Sequence, residues 1–334
     1  MSTTPIFNYG KAMRFLAAAF PVALIVSATV APAAQATTAQ SASAKLQTAR
    51  IQALLDNPVN GTVNLPTGTF TVQPNLRLNS GEQIVGRNTT LKVAAHAGDY
   101  RAILSGATAG TNLSGLSITG VTFDQNTRGN PVGSSAALFN GQPRDMILVS
   151  LGSNIKITGN RFVGADNVDS IVTGGGTNKV TISGDVFRTT NALGHDHSSI
   201  YTSGTYTSIS DNNLTGSSMF CSAAIEVHGN WVDVTGNHIT GYPRGANIVA
   251  SHTTFKGNKI LGAVNPVDLW SVDSPGLSDV TVSGNTLNRN LGRWAGVYRQ
   301  HGASLPPSRY TQMVIRDESS TFPFQQITIS GNTS

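Results

Sequence analysis

Short segments in which apolar and polar residues alternate recur along most of the chain. From residue 155 onward, each copy has an apolar residue, any residue, Gly or Asp, Asn or Asp, any residue and a second apolar residue. Alternation with period two is typical of a strand with one buried face, and glycine permits a sharp turn between two strands. The Asn or Asp of successive copies is Asn160, Asp185, Asn212, Asn237, Asn258, Asn285 and Asn332, with spacings of 25, 27, 25, 21, 27 and 47 residues.

The period predicts the fold class. Repeats of about 25 residues that contain several short strands and no amphipathic helix are typical of a solenoid with one coil per repeat. We therefore predict an all-β chain folded as a right-handed parallel β-helix of about 9–10 coils. A β-propeller is the alternative, but its blades need about 40 residues or more. The recurring Asn and Asp side chains are predicted to be structural and to form a hydrogen-bonded ladder between coils.

The amino-terminal segment is predicted to be a secretory signal peptide. Lys11 and Arg14 precede an apolar stretch at 15–30, and residues 31–36 form small-x-small cleavage sites. An uncleaved anchor helix is the alternative, but Pro21 interrupts the apolar stretch, which is short for a membrane span. We expect residues 1–36 to be removed and the mature protein to be secreted, extracellular or periplasmic, without membrane association.

The remaining chain is divided into a linker at 37–44, an N-terminal capping helix at 45–56 and the β-helix domain at 57–334. The apolar residues of the helix are expected to lie largely on one face and to plug the open end of the solenoid. They are Leu46, Ala49, Ile51, Leu54 and Leu55. No cap is evident near Ser334, so the sequence predicts either a cap beyond it or end-to-end homo-association.

Composition narrows the classes of function. Only 12% of the residues are charged and there is one cysteine, Cys221, which excludes a charge-rich disordered protein and a disulfide scaffold. The formal net charge is +5, and without residues 1–36 the chain has 20 basic and 17 acidic residues. No run of Lys and Arg occurs, so we expect no nucleic-acid partner. We also expect no cofactor.

Several segments resemble the pectate-lyase-like superfamily of right-handed parallel β-helix proteins. They are the helical residues 51–55, the segment 61–70, the segment 120–124 and the recurrent Ile-Ser-Gly-Asn turns, and the likeness covers about residues 45–334. The superfamily includes polysaccharide lyases, glycoside hydrolases, uronate epimerases and phage tailspikes, so the resemblance implies a polysaccharide partner and leaves the reaction open. The polygalacturonase motifs are absent except for a faint echo at Gly194-His195-Asp196, as is the calcium-lyase pattern of paired aspartates with a catalytic Arg.

A second strand in each coil, upstream of the Gly-Asn turn, is predicted to carry the functional residues. Aligning these strands puts Tyr201, Glu226, Val249, Trp270 and Tyr298 in one outward column and Asn247 and Asp268 in another, with His228 one step beyond Glu226. Aromatic rings stack on sugar rings, and amides and acids bind hydroxyl groups. We therefore predict a sugar-binding groove that includes Tyr201, Asn247, Trp270 and Tyr298. The alternative is that a long loop or a neighbouring chain covers these aromatic residues.

Glu226 and Asp268 are the predicted catalytic carboxylates. In this alignment they are two coils and one outward step apart, so their Cα atoms are separated by roughly 11–12 Å. Side chains that lean together would reach the carboxyl separation of inverting glycosidases, roughly 6.5–9.5 Å. The alternative is that either carboxylate only hydrogen-bonds a sugar or a loop.

His195, Asp196 and His197 form a second candidate group, just before Ser199. With His228 and Tyr201 they offer the base that a lyase or C5-epimerase needs at a uronate. The spacing also resembles a metal site, but the signal is weak, a solvated turn is the alternative, and we predict no metal.

The sequence thus predicts a secreted enzyme that cleaves a polysaccharide. Hydrolysis is favoured, with catalytic Glu226, Asp268 and His228 and with Asp196 and His197 among the substrate-binding residues, because no outward Lys or Arg is seen that would neutralise a uronate. A uronate lyase or epimerase and a non-catalytic polysaccharide-binding or adhesin solenoid are the alternatives.

Overall fold

The computed structural model is a solenoid of parallel strands with about eight turns. It describes residues 33–98, 100–130, 144–165, 169–189, 197–217, 222–272, 275–300, 305, 313–316 and 320–334. The predicted all-β parallel β-helix is confirmed, with slightly fewer turns than the 9–10 expected. One segment expected to be a coil strand, 296–299, is helical instead.

The strands are short and follow one another in regular order. They are β1 (Thr62–Leu65), β2 (Gly68–Val72), β3 (Leu76–Leu78), β4 (Gln83–Val93), β5 (Ala102–Gly106), β6 (Ser117–Asp124), β7 (Asp145–Thr158), β8 (Arg161–Ala165), β9 (Ile171–Ser183), β10 (Val186–Thr189), β11 (His197–Thr202), β12 (Thr205–Ser210), β13 (Asn213–Thr215), β14 (Ser222–Val227), β15 (Val232–Thr235), β16 (His238–Thr240), β17 (Arg244–Ile248), β18 (Thr253–Lys256), β19 (Lys259–Ala263), β20 (Asn265–Leu269), β21 (Leu277–Ser283), β22 (Thr286–Arg289), β23 (Val314–Arg316) and β24 (Phe324–Ser330).

Each full coil contributes one strand to each of three parallel sheets, which we name A, B and C in chain order. Sheet A contains β3, β5, β11, β14, β17, β20 and β23. Sheet B contains β1, β12, β15, β18, β21 and β24. Sheet C contains β2, β8, β10, β13, β16, β19 and β22. The long strands β7 and β9 run through sheets A and B, and β4 and β6 run through sheets B and C.

The core lies inside the coil and consists of the inward residue of each alternating pair. Ile147, Ile171, Ile200 and Ile225 stack in sheet A, and Phe123, Phe162 and Phe187 stack in sheet C with ring centroids 5.2 and 4.7 Å apart. All of these side chains are fully buried. Since alternate residues of a strand face opposite sides, every second residue faces outward and is available for function.

The Asn ladder is confirmed at the turn between sheets B and C. The Asn237 Oδ1 accepts hydrogen bonds from the backbone N (3.0 Å) and the Nδ2 (2.9 Å) of Asn212, and the Asn237 Nδ2 donates to the Ile209 carbonyl. The left-handed conformation at this turn is adopted by the residue before the Asn, as at Gly236 with φ 67°. Each ladder amide therefore satisfies buried backbone groups of the neighbouring coils.

The first coil is covered by α1, an α-helix at Ala33–Asp56. The helix begins well before residue 45 and includes the segment 37–44 that was predicted to be a linker. Its buried face carries Ala44, Ile51 and Leu55, whereas Leu46 is 75% exposed and Ala49 is also exposed, so these two residues were wrongly placed on the packed face. The predicted signal sequence up to residue 32 lies outside the described residues.

Side chains of α1 also pair with the backbone of the first coil. Gln47, Thr48 and Gln52 accept hydrogen bonds from the backbone N of Thr71 (2.7 Å), Gln73 (2.7 Å) and Arg77 (2.8 Å), respectively. These amides lie on the edge of the described solenoid, where α1 supplies the acceptors that a neighbouring strand would otherwise provide. The helix therefore covers the edge by hydrogen bonding as well as by apolar packing.

Thr48→Val is expected to lower the free energy of unfolding by about 1–2 kcal/mol, because an isosteric side chain leaves the Gln73 amide without its acceptor. Urea unfolding of the two proteins measures the difference. Leu46→Ala, at an exposed position of the same helix, is the control and should change stability by less than about 0.5 kcal/mol. Equal stability of the Thr48 variant and the parent would contradict the capping role.

Candidate functional site

Sheet A presents an outward column of polar side chains on successive coils. Tyr201 pairs with Glu226, Glu226 with Asn247, and Asn247 with Asp268. Glu226 and Asp268 are therefore two rungs apart in one column, which separates their Cα atoms by about 10 Å. Both carboxylates face the same side of the sheet with an amide between them. Below, these four residues are called the acid column.

The acid column corrects the predicted register. The sequence alignment put Asn247 beside Ala224 and Asp268 one outward step away from the column of Glu226. The structure shifts β17 and β20 by two residues relative to β14, so that Glu226 pairs with Asn247. A shift of two residues keeps every side chain on its own face, so the burial pattern alone did not fix this register.

Glu226 lies in a largely buried position beside His228. Its side chain is 12% exposed, and its Oε2 lies 3.6 Å from the Nε2 of His228. Burial would by itself raise the pKa of the Glu226 carboxyl, but the polar contact and charge of His228, together with the charge of Arg244, outweigh this and lower the pKa below its usual value. Glu226 is therefore ionised at neutral pH and suited to accept a proton.

Asp268 has a drier environment and different partners. Its side chain is 5% exposed, its Oδ2 accepts a hydrogen bond from Asn265 Nδ2 (3.2 Å), and the Arg244 Nε lies 3.9 Å from the same oxygen. Arg244 is at the start of β17 and its charge acts on both carboxylates. The sequence analysis missed this residue, because its alignment began at Asn247. The signal was present, since Arg244 is a basic residue three positions before Asn247.

A second outward position follows two residues after the acid column and carries His228 and Trp270. The rings of Tyr201 and His228 stack with centroids 4.8 Å apart. Trp270 is partly buried, and among the described residues no hydrogen-bond acceptor reaches its buried Nε1. The structure thus brings together five of the predicted site residues around one surface, namely Tyr201, Glu226, His228, Asn247 and Asp268, with Trp270 at its end.

Tyr298 lies on a helix and not on a coil strand, so its predicted strand position was wrong. Residues Leu291–Gln300 form the α-helix α2, in which Trp294 is buried and donates from Nε1 to the Gly262 carbonyl (2.7 Å). The Asn290 Oδ1 accepts from the backbone N of Arg293 (3.0 Å), as an N-cap does. The apolar spacing of Leu291, Trp294 and Val297 is that of a helix. A strand was predicted instead because Gly296-Val297-Tyr298 also matches the strand pattern of the other coils.

The side chains of two further predicted site residues are not among those that the structure describes. Asp196, with His195, lies outside the described residues, and His197 is the first residue of β11 but its side chain is not described. Among the side chains that the structure describes, no group of three or more His, Cys, Asp and Glu is placed to hold a metal ion. Over the same part of the chain, no helix has the length and apolar character needed to span a membrane.

Comparisons with known proteins show the fold and leave the family open. No family model and no curated protein matches the chain. Among solved structures, it is similar to the tailspike of E. coli bacteriophage HK620, as a double mutant in complex with a pentasaccharide, with 18% identity, a TM-score of 0.64 and 85% of this chain covered. Another variant of that tailspike, in complex with a hexasaccharide, matches with 17% identity, a TM-score of 0.63 and the same coverage.

These matches confirm the predicted right-handed parallel β-helix. The chain spans about half the length of the tailspike, 52% of which is covered.

Proposed function

We propose that the protein is a secreted enzyme that hydrolyses glycosidic bonds of an extracellular polysaccharide at the acid column. One observation carries the proposal: Glu226 and Asp268 lie in one outward column, two rungs apart, with Asn247 between them. A Cα separation of about 10 Å is compatible with the roughly 6.5–9.5 Å between carboxyl groups in inverting glycosidases. The resemblance to tailspikes solved with oligosaccharides supports a glycan as the ligand.

The two carboxyl groups have unequal environments that favour different roles. Glu226, with its lowered pKa, is the general base that activates water. Asp268 is the drier of the two, so we assign it the general acid that protonates the leaving oxygen. Asn247 lies between them and is placed to bind a sugar hydroxyl. His228 acts through Glu226 and is a positioning residue.

Elimination at a uronate is the second candidate, and Arg244 is the observation that favours it. The sequence argument against a lyase was the absence of a basic residue on this face, and Arg244 beside Asp268 removes that argument. A guanidinium neutralises a uronate carboxylate, and the stacked Tyr201 and His228 supply a proton acceptor and donor. In this alternative His228 is the catalytic base.

A panel of neutral and acidic polysaccharides tests the proposal. The mature protein is incubated with each polymer while reducing ends and the ultraviolet absorbance of unsaturated uronates are recorded. Hydrolysis predicts new reducing ends without new absorbance. Absorbance that rises with the reducing ends would replace hydrolysis by elimination, and binding without any cleavage would leave a non-catalytic glycan-binding solenoid.

His228→Ala is expected to move the acidic limb of the pH profile of kcat/KM to higher pH, because Glu226 keeps its burial and loses the contact with His228 that lowers its pKa. His228→Gln keeps a polar contact without the charge and should give a smaller shift. Profiles of the three proteins on one substrate provide the measurement. Complete loss of activity in both variants would indicate that His228 is the base of an elimination.

A further inference from the structure

A column of exposed aromatic side chains lies at the corner between sheets A and B and includes no residue of the acid column. Tyr206, Trp231 and His252 occupy the same position on three successive coils, immediately before the paired residues of β12, β15 and β18. Tyr206 is 56% exposed and Trp231 is 48% exposed. We call these three residues the corner column. The sequence analysis did not single them out, because they fall between the strand motifs.

The backbone of the corner column is in a conformation that bulky residues avoid. The φ angles of Tyr206, Trp231 and His252 are 53°, 63° and 55°. The equivalent residues of other coils, Asn154, Lys179, Asp279 and Gln326, have the same conformation. An aromatic residue there costs on the order of 1 kcal/mol, and its ring is exposed rather than in the core. The turn thus imposes this conformation, and the three rings it carries are directed outward rather than into the core.

The rings form one wall of a groove whose floor is polar. Tyr206 stacks on Trp231 with centroids 5.9 Å apart, and Trp231 stacks on His252 at 3.9 Å. The floor is the outward column of sheet B beside them, with a volume of about 310 Å³ above it. Its paired residues are Ser208, Asp233, Thr254 and Thr281.

The charges at the groove disfavour an anionic ligand. Asp233 and Asp279 both line it, and the imidazole of His252 donates from Nδ1 to the Asp279 carboxylate (2.8 Å). The free carboxylate oxygens and the Ser and Thr hydroxyls accept and donate hydrogen bonds as sugar hydroxyls require. The upstream neighbour of Tyr206 in the column is Lys179, so the stack ends there and one face of the tyrosine ring has no aromatic neighbour from the column.

We propose that the corner column and its groove form a second glycan-binding site, specific for uncharged sugar units and separate from the acid column. The free face of Tyr206 and the exposed edge of Trp231 contact the apolar faces of the sugar rings, and the floor binds their hydroxyl groups. Such a site would hold a polysaccharide chain next to the surface at which cleavage is proposed. Its binding function does not depend on that cleavage.

Trp231→Asn is the sharpest variant because it removes the ring and places a residue that tolerates the left-handed conformation. Binding is measured by titration calorimetry with soluble xylan and dextran as uncharged probes and polygalacturonate as the anionic probe. We expect wild type to bind an uncharged probe and Trp231→Asn to bind it at least tenfold more weakly, with an unchanged or raised Tm. Polygalacturonate binding should be the same in both proteins.

Thr254→Lys provides an independent test, because it fills the floor of the groove and leaves the aromatic stack and its backbone unaltered. It should weaken binding of the same uncharged probe to a similar extent. This test remains valid if Trp231→Asn proves unstable. Wild-type affinity in Thr254→Lys, or no binding of either uncharged probe by wild type, would overturn the proposal. Glu226→Gln separates the two sites, since it should strongly slow cleavage and retain Trp231-dependent binding.

Discussion

Glu226→Gln and Asp268→Asn are each expected to lower the rate of glycan cleavage by about 10²–10⁴-fold. Each substitution keeps the shape of the side chain and removes the group that transfers a proton. Because the amides still hydrogen-bond a sugar, binding of the polysaccharide should change far less than turnover. Initial rates of reducing-end release and, in parallel, affinity for the same polymer give the two quantities.

Asp211→Asn is the matched control for these substitutions. Asp211 is an exposed aspartate at the turn between sheets B and C, where φ is 56° and Asn is tolerated. It should leave cleavage and binding at the wild-type level. Cleavage that survives in the Glu226→Gln, Asp268→Asn double variant would show that the acid column is not the catalytic site.

Asp185→Asn is expected to stabilise the fold, with a gain that grows as pH rises. Asp185 is the one carboxyl in the described part of the Asn ladder, and its Oδ1 accepts hydrogen bonds from the backbone N and Nδ2 of Asn160. Its Oδ2 is buried and has no partner among the described residues. In other coils, the Nδ2 of the ladder Asn donates to the carbonyl three residues before the ladder residue of the preceding coil. By the same repeat, the Asp185 Oδ2 faces the carbonyl of Ile157, to which the Nδ2 of an Asn at position 185 would donate.

The pH dependence follows from the pKa of Asp185. Burial raises this pKa from 3.8 to about 8, although the hydrogen bonds from Asn160 lower it in part. Between these two values the folded protein holds a proton that the unfolded chain has lost, so wild-type stability falls as pH rises and levels off above about pH 8. The decline approaches about 1.4 kcal/mol per pH unit, and Asp185→Asn should remove it.

Urea unfolding of both proteins at several pH values tests this prediction. Asn237→Asp is the reverse control, since it adds a buried carboxyl to the same ladder. That variant should lose stability as pH rises. A stability difference between Asp185→Asn and wild type that stays constant from pH 4 to pH 8 would contradict the assignment.

The fold could be predicted from the sequence because one coil is a local unit that repeats. Inward residues such as Ile182 and Phe187 and the ladder residue Asp185 recur with the period of the coil, so burial and turn position are both encoded in short segments. The start of α1 was less predictable, since its early turns lack the apolar spacing that marks the part packed on the solenoid.

The site was predictable in its residue types and less so in its geometry. Glu226, Asn247 and Asp268 were found, because polar residues on strands of apolar neighbours stand out. Their common column was not, because a two-residue shift between β14 and β17 preserves the inward and outward pattern and is decided by the lengths of the turns between them. The corner column was missed since its signal is a backbone conformation, which the residue types do not reveal.

The most direct test of the central claim is a crystal structure of the Glu226→Gln protein with an oligosaccharide of the polysaccharide that the panel identifies. The account predicts that a glycosidic bond lies between the side chains of residues 226 and 268, with a sugar hydroxyl bound by Asn247. An oligosaccharide bound only elsewhere on the solenoid, with the acid column empty, would contradict it.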